Sequence, residues 1–350
     1  MTSMSPPGDR LQRATIRDVA RLAQVGTKTV SRVMNGEPNV APATAERVRR
    51  AAAALHYVPD VAAGNLRRGD RRTQTLGLLV GSVSSPFFAA IHRAVEDATA
   101  SRGLAVFTSS SDEDEATERN AVGAFLRRRV DGLVLATTTR SQAYLDVERD
   151  RGTPVVFIDR VPNGIDADAV VSDNAVAAAR ITRHLVRHGH RRIGLLLDRS
   201  TIWTARERRR GVLDEAARSG LGPHAVQVVP DLTTEEDASM AVRRLLRADD
   251  PPTAIVAAQD LLIQGAVRAL HHLRLQHRVA LVGFDDVDLA DVVEPGITVL
   301  AQRPSHIGRL AAERLIARLD GWNGPAETIE VATDLIERGS GEIRPPVAED

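Results

Sequence analysis

From Thr73 onward the chain alternates short apolar runs with amphipathic segments, and it does so twice. Leu76-Gly-Leu-Leu-Val80 matches Ile193-Gly-Leu-Leu-Leu197, and a pair of arginines precedes each. Gly132-Leu-Val-Leu-Ala136 answers Ala254-Ile-Val-Ala-Ala258, and Pro154-Val-Val-Phe-Ile-Asp159 answers Ala280-Leu-Val-Gly-Phe-Asp285. Short apolar runs separated by helical periodicity mark βαβ units on a parallel sheet. A doubled pattern therefore predicts an α/β body of two doubly wound parallel-sheet subdomains, with a cleft at the carboxyl ends of their strands. The expected body runs over 73–340, with the chain crossing between halves near 171, 300 and 326. That gives subdomain 1 about 73–170 and 301–325, subdomain 2 about 171–300 and 326–340, and a tail over 341–350.

Residues 15–58 read differently. Thr15 followed by Asp18 is a helix start: the hydroxyl suits a first-turn amide and the carboxylate suits the positive end of the dipole. Ile16, Val19, Ala20 and Ala23 recur at helical spacing, and Gly26 then permits a sharp turn. A second helix carries Val30, Val33 and Met34 on its buried side and Lys28, Arg32 and Asn35 on the other. Pro42 opens a third helix, striped by Val48, Ala51 and Leu55, which closes a small all-α head. Two short helices about a tight turn form the helix-turn-helix pattern, whose second helix enters the DNA major groove. Arg32 suits bidentate contact with guanine and Lys28, the only lysine in the chain, suits the same acceptors, with Thr27 assisting.

Charge supports that division. The whole chain is neutral, yet Arg10–Arg72 holds 13 Lys+Arg against 5 Asp+Glu, so the remainder is correspondingly acidic. A basic head on an acidic body is the footprint of DNA binding at one end. With no cysteine, neither disulfides nor thiolate metal sites arise. Residues 1–14 read as a disordered tail without a signal-peptide run, and no stretch approaches a membrane span. The expected location is the cytoplasm.

Thr-Ile-Arg-Asp-Val-Ala at 15–20 and Thr-Val-Ser-Arg-Val-Met-Asn-Gly at 29–36 resemble the lactose-repressor/galactose-repressor (LacI/GalR) family of bacterial transcription regulators. The resemblance continues to Arg338-Gly-Ser340. It implies a body of periplasmic-binding-protein type and a homodimer on near-palindromic double-stranded operator DNA. The implied effector is a small molecule, a carbohydrate or nucleoside. Thr15, Thr27, Lys28, Thr29, Ser31, Arg32, Asn35 and Tyr57 form the expected DNA-facing set. Residues 59–72 form the expected hinge helix and linker; 60–69 correspond to the family's hinge helix, in which Leu66, with Ala63 one turn earlier, wedges into the minor groove. Gly64 and Asp60 weaken the hinge as a helix, so it is expected to fold on binding. Family members carry a hydroxyl cap where this chain has Gly26 and Ala41.

In the cleft the resemblance nominates Phe87, Phe88, Arg160, Arg208, Gln259, Asp285 and Gln302. Arginine forks and carboxylates match the donors and acceptors of a sugar or nucleoside, and rings cover its apolar face. Trp203 joins them because only ten residues are aromatic. Arg208 and Asp285 are the expected principal anchors. Arg160 and Asp285 are equally suited to ion pairs between the halves, and Phe87 to plain core. His184, His188 and His190 have metal-ligand spacing, but they also fit the end of an ordinary helix. No glycine fingerprint follows a strand and no nucleophile–base pair is evident, so neither a cofactor nor catalysis is expected. A solute-binding receptor of the same body fold is the rival reading; it predicts a signal peptide and no basic head. Assembly is expected to stop at the dimer, because no leucine heptad follows Ser340.

Overall fold

A computed structural model describes residues 14–34, 36–57 and 72–346 as two compact units, one ending at Thr73 and the other starting at Gln74. Asn35, the hinge residues Ala63 and Leu66, and the tail over 1–13 lie outside the described residues.

The head has helices α1 (Ile16–Ala23), α2 (Thr27–Met34) and α3 (Pro42–Ala54). Val19, Val30 and Val48 are fully buried where the three helices meet, and Met34, Leu55 and Tyr57 pack at the margin. One local expectation changes. The left-handed residue of the turn is Gln24, at φ 53°, whereas Gly26 caps α2 by accepting from the Thr29 and Val30 amides. At the start of α1 the Thr15 hydroxyl and amide both donate to the Asp18 carboxylate, within the Thr15/Asp18 capping box.

The body comprises β1 (Thr75–Val80), α4 (Pro86–Ala100), β2 (Ala105–Ser110), α5 (Glu115–Arg127), β3 (Gly132–Leu135), α6 (Asp146–Asp150), β4 (Val155–Ile158) and β5 (Asp168–Ser172). It continues with α7 (Asn174–Arg187), β6 (Ile193–Leu196), α8 (Trp203–Arg218), β7 (Val226–Val229), α9 (Glu235–Leu245), β8 (Ala254–Ala257), α10 (Asp260–Leu273) and β9 (Ala280–Phe284). β10 (Thr298–Ala301), α11 (Pro304–Leu319), β11 (Thr328–Val331) and β12 (Asp334–Ile336) complete it.

The duplication read from the sequence is a duplication of topology. One sheet runs β11-β5-β4-β3-β1-β2 and the other β12-β10-β9-β8-β6-β7. All pairs are parallel except β10–β12, which closes the second sheet with an antiparallel edge. Side chains alternate across each strand, so Leu78 and Val80 of β1 meet α4 and α11 while Leu79 meets α5 on the other face. Helices on both faces explain why the strands read as unbroken apolar runs. Three helix pairs approach closely at glycines: a Cβ on Gly211 would overlap the Ala175 carbonyl, one on Gly265 the Glu235 carbonyl, and one on Gly308 the Ile91 carbonyl.

The division between halves differs from the sequence reading at its ends. β11 at 328–331, assigned to the second subdomain, pairs with β5 in the first sheet. As an edge strand with an alternating, half-open pattern it carries no sequence signal for which sheet it joins. The crossings therefore fall after Ser172, after Ala301 and after Val331. They are tied together: Ser172 donates to Gln302, Thr333 donates to Asp173 twice, and Arg180 donates to the Thr333 carbonyl. The tail expected from 341 also begins later. The Gly341 amide donates to Thr298, Glu342 accepts from the Thr298 hydroxyl, and the Ile343 carbonyl faces His190.

Candidate functional site: a DNA-reading helix and an inter-half cleft

In the head, α2 presents Thr27, Lys28 and Arg32 to solvent, with Thr29 and Ser31 half-buried beside them; Thr15 is exposed at the start of α1. The Arg32 guanidinium lies 3.6 Å from Glu37, an exposed pair that is worth little and easily exchanged for another partner. On α3, Arg49 and Arg50 share Glu46, while Arg47 is exposed.

In the body, equivalent strands end in equivalent aspartates, Asp159 after β4 and Asp285 after β9, both in the left-handed region at φ 66° and 93°. Arg160 is buried and wholly occupied by the first half. Its Nη2 and Nη1 fork onto Glu113 at 2.6 and 2.7 Å, Nη1 also donates to the Thr137 carbonyl, and Nε donates to Asp159 at 3.2 Å. It makes no ion pair to the other half among the described residues. Burial pushes Glu113 upward, but the Arg160 guanidinium outweighs it and holds the carboxyl below its usual range. Burial raises Asp159, which Arg160 only partly offsets.

The second half answers with Arg208. Its Nε donates to Asn174 at 2.8 Å, its Nη1 to the Ala258 carbonyl at 2.7 Å, and the guanidinium lies 3.6 Å above the Phe284 ring. Burial lowers its pKa, against the pull of Asp285. Asp285 is pushed up to about 6 by burial, against the opposing influence of Arg208 and a 2.5 Å hydrogen bond from Gln302. Gln302 thus joins Ser172 of the first sheet to Asp285 of the second.

A cleft of about 660 Å³ lies between the halves. Thr137–Thr139, Arg140 and Arg160 form one wall, and Ser200–Trp203 with Arg206 form the other. Of the eight predicted ligand residues, the structure places Arg160 and Trp203 in this lining. Trp203 belongs to α8 but packs against the first half's core beside Tyr144 and Val161. Phe88 is buried core and Phe87 meets it edge-on with ring centroids 5.1 Å apart, while Gln259 is half-buried before α10.

Sequence reasoning missed the acids that shape this wall. Glu118 is fully buried and accepts from the Thr137 and Thr139 hydroxyls, the Thr139 amide and the Tyr144 hydroxyl at 2.8–3.0 Å. Glu113 lies in the run Ser111-Asp-Glu-Asp-Glu115, which reads as a solvated charge cluster and hid its role as the Arg160 partner. The histidines take separate partners: His184 sits 2.7 Å from Glu342, and His190 lies between Thr253 and the Ile343 carbonyl.

Residues 15–60 match the model for bacterial regulatory proteins of the lacI family, and 182–341 the model for a periplasmic binding protein-like domain. The ribose operon repressor of Haemophilus influenzae is 30% identical over 332 residues, covering 93% of this chain and 98% of that protein. The chain belongs to the lacI family of bacterial regulatory proteins. It is a DNA-binding transcriptional regulator, which decides against the solute-receptor reading of the same body fold. The transcriptional repressor PurR of Aliivibrio salmonicida is 29% identical, covering 93% of this chain and 98% of that protein. The solved complex of the transcriptional regulator CelR with cellobiose has a TM-score of 0.68 at 31% identity, covering 94% of this chain and all of that one. No helix among the described residues is long and apolar enough to cross a membrane.

Proposed function

We propose that this lacI-family protein is a cytoplasmic, non-enzymatic, homodimeric repressor whose operator affinity is set by a small carbohydrate or nucleoside in the cleft. The observation that carries the DNA half is α2, which is only eight residues long yet presents Lys28 and Arg32 on its open side while Val30 and Val33 anchor the other. Thr15, Thr27, Thr29, Ser31, Asn35 and Tyr57 complete the DNA-facing set, with Ala63 and Leu66 of the hinge in the minor groove. Two equivalent recognition helices in a two-fold dimer call for a near-palindromic operator.

The ligand half is supported by the cleft itself and by the names of the relatives, which include a ribose operon repressor and a regulator solved with cellobiose. Arg208 and Asp285 anchor the effector's polar edge, with Phe87, Phe88, Arg160, Trp203, Gln259 and Gln302 around it. The ligand changes DNA affinity only through its different affinity for two arrangements of the body. Selection from a random duplex pool with the purified protein tests this reading. It should enrich a near-palindrome, and one sugar or nucleoside of a small panel should shift the affinity for it. A pool that stays random after repeated rounds overturns the proposal.

A further inference from the structure

The lining of the inter-half cleft carries charge of one sign. Its ionisable members are Arg140, Arg160 and Arg206; the remainder are hydroxyl, amide and apolar groups, and no carboxylate is among the described lining residues. The three arginines are not equivalent. Arg160 is neutralised from behind by Glu113 and Asp159. Arg140 and Arg206 stand on opposite walls, and neither has a carboxylate partner among the described residues. Arg206 donates instead to a neutral group, the Thr201 carbonyl, at 2.6 Å.

A neutral polyol has no need of two uncompensated guanidinium groups. In a concave site they raise the local potential and concentrate anions. Their planar forks match carboxylate and phosphate oxygens, and Arg is the residue type suited to that geometry. The volume of about 660 Å³ lies within the range of small-molecule sites. We infer that the natural ligand of this cleft is a sugar-sized organic anion, a phosphate ester or a carboxylated sugar. Arg140 and Arg206 grip its charged group from opposite walls, Thr138 and Ser200 meet its hydroxyls, and the Trp203 ring covers its apolar face. This rests on the reading of the cleft as the effector site, and it moves the ligand's principal polar anchors from Arg208 and Asp285, which lie outside that lining, to Arg140 and Arg206.

The test uses the full chain in a Trp322→Phe background, leaving Trp203 as the only tryptophan. Its fluorescence is titrated with matched probes: ribose against ribose 5-phosphate, glucose against glucose 6-phosphate, glucose against gluconate, and inorganic phosphate alone. At least one anion should bind roughly tenfold or more tightly than its neutral parent, and added salt should weaken it. Arg140→Gln and Arg206→Gln should each lower that affinity by about tenfold, as expected on losing one partner of a charge-assisted contact. Which matched pair responds separates phosphate from carboxylate. Neutral parents binding as tightly as their anions, affinity unchanged in both variants, or no anion bound at millimolar concentration each overturns the inference. Inorganic phosphate binding as tightly as every ester overturns its sugar-sized part. A parallel operator-release assay keeps the two readings apart. A neutral sugar that releases operator sinks the anion and spares the repressor; a random duplex pool sinks the repressor while the titration still scores the anion.

Discussion

The core of the head is nine buried side chains, five of them alanine and four valine. The body's two sheets bury Phe157, Phe284 and a set of leucines and isoleucines completely, on both faces of each sheet. At about 0.8 kcal/mol per buried methylene, the head has little stability in reserve and the body much. Within the head, two of the three helices also lack a side-chain cap. α2 and α3 start on Gly26 and Ala41, neither of which supplies a side-chain oxygen to the first turn. The body's α5 and α9 start on Asp114 and Thr234, which do accept such bonds. The contrast teaches that the basic head is built to be completed by a partner, while the acidic body is built to hold its own shape around a cleft.

Substitutions probe the two sides of this comparison unequally. Gly211→Val should have the largest effect, since its Cβ meets the Ala175 carbonyl and Ala178 across the α7–α8 crossing. A loss of more than about 3 kcal/mol is expected. It should appear in thermal unfolding of the body, and a body that melts unchanged would break the packing account. Glu113→Gln should come next, costing about 2 kcal/mol because buried Arg160 loses its fork. It should also perturb the cleft wall, which Trp203 fluorescence would report.

Smaller still is a pH effect. Folding raises Asp285 from its ordinary value to about 6, so the folded state holds this proton more tightly than the unfolded chain. The favourable contribution is therefore full below about pH 4 and lost as pH rises to about 6. Asp285→Asn should flatten that part of the stability curve, as read by denaturant melts at successive pH values; an unchanged slope would show that another group titrates there. Least of all, Ala41→Ser should raise head stability by about 1 kcal/mol, with Gly26→Ser adding a few tenths because a Cβ there meets nothing within 4 Å. Neither should move the melting of the body.

The parts of the fold that were legible in the sequence follow the same contrast. Doubled apolar runs revealed β1, β3 and β4 and their counterparts β6, β8 and β9, because strands covered on both faces carry nothing polar. β11 escaped, since an edge strand with Thr328 and Glu330 reads like a loop and its sheet is set by pairing distant in sequence. Arg160 and Arg208 were legible as residue types. Their partners were not: Glu113 and Asn174 become neighbours of Arg160 and Arg208 only through the tertiary fold. Nothing local in the sequence sets Glu118, fully buried, apart from Glu115 on the same helix α5. Gly26 as a turn residue was a local misreading, because Gln24 tolerates the left-handed position that glycine was expected to fill.

The central claim is that DNA is read by the head and the ligand is held by the body, each through its own arginines. It is tested most directly by one fluorescence-anisotropy series in which Arg32→Ala and Arg206→Gln are titrated side by side with the selected operator and a scrambled duplex. Arg32→Ala should lose about 1–3 kcal/mol of discrimination between the two duplexes. Arg206→Gln, without ligand, should bind both as the wild type does. Equal losses on operator and scrambled duplex in Arg32→Ala, or lost discrimination in Arg206→Gln, would contradict the account.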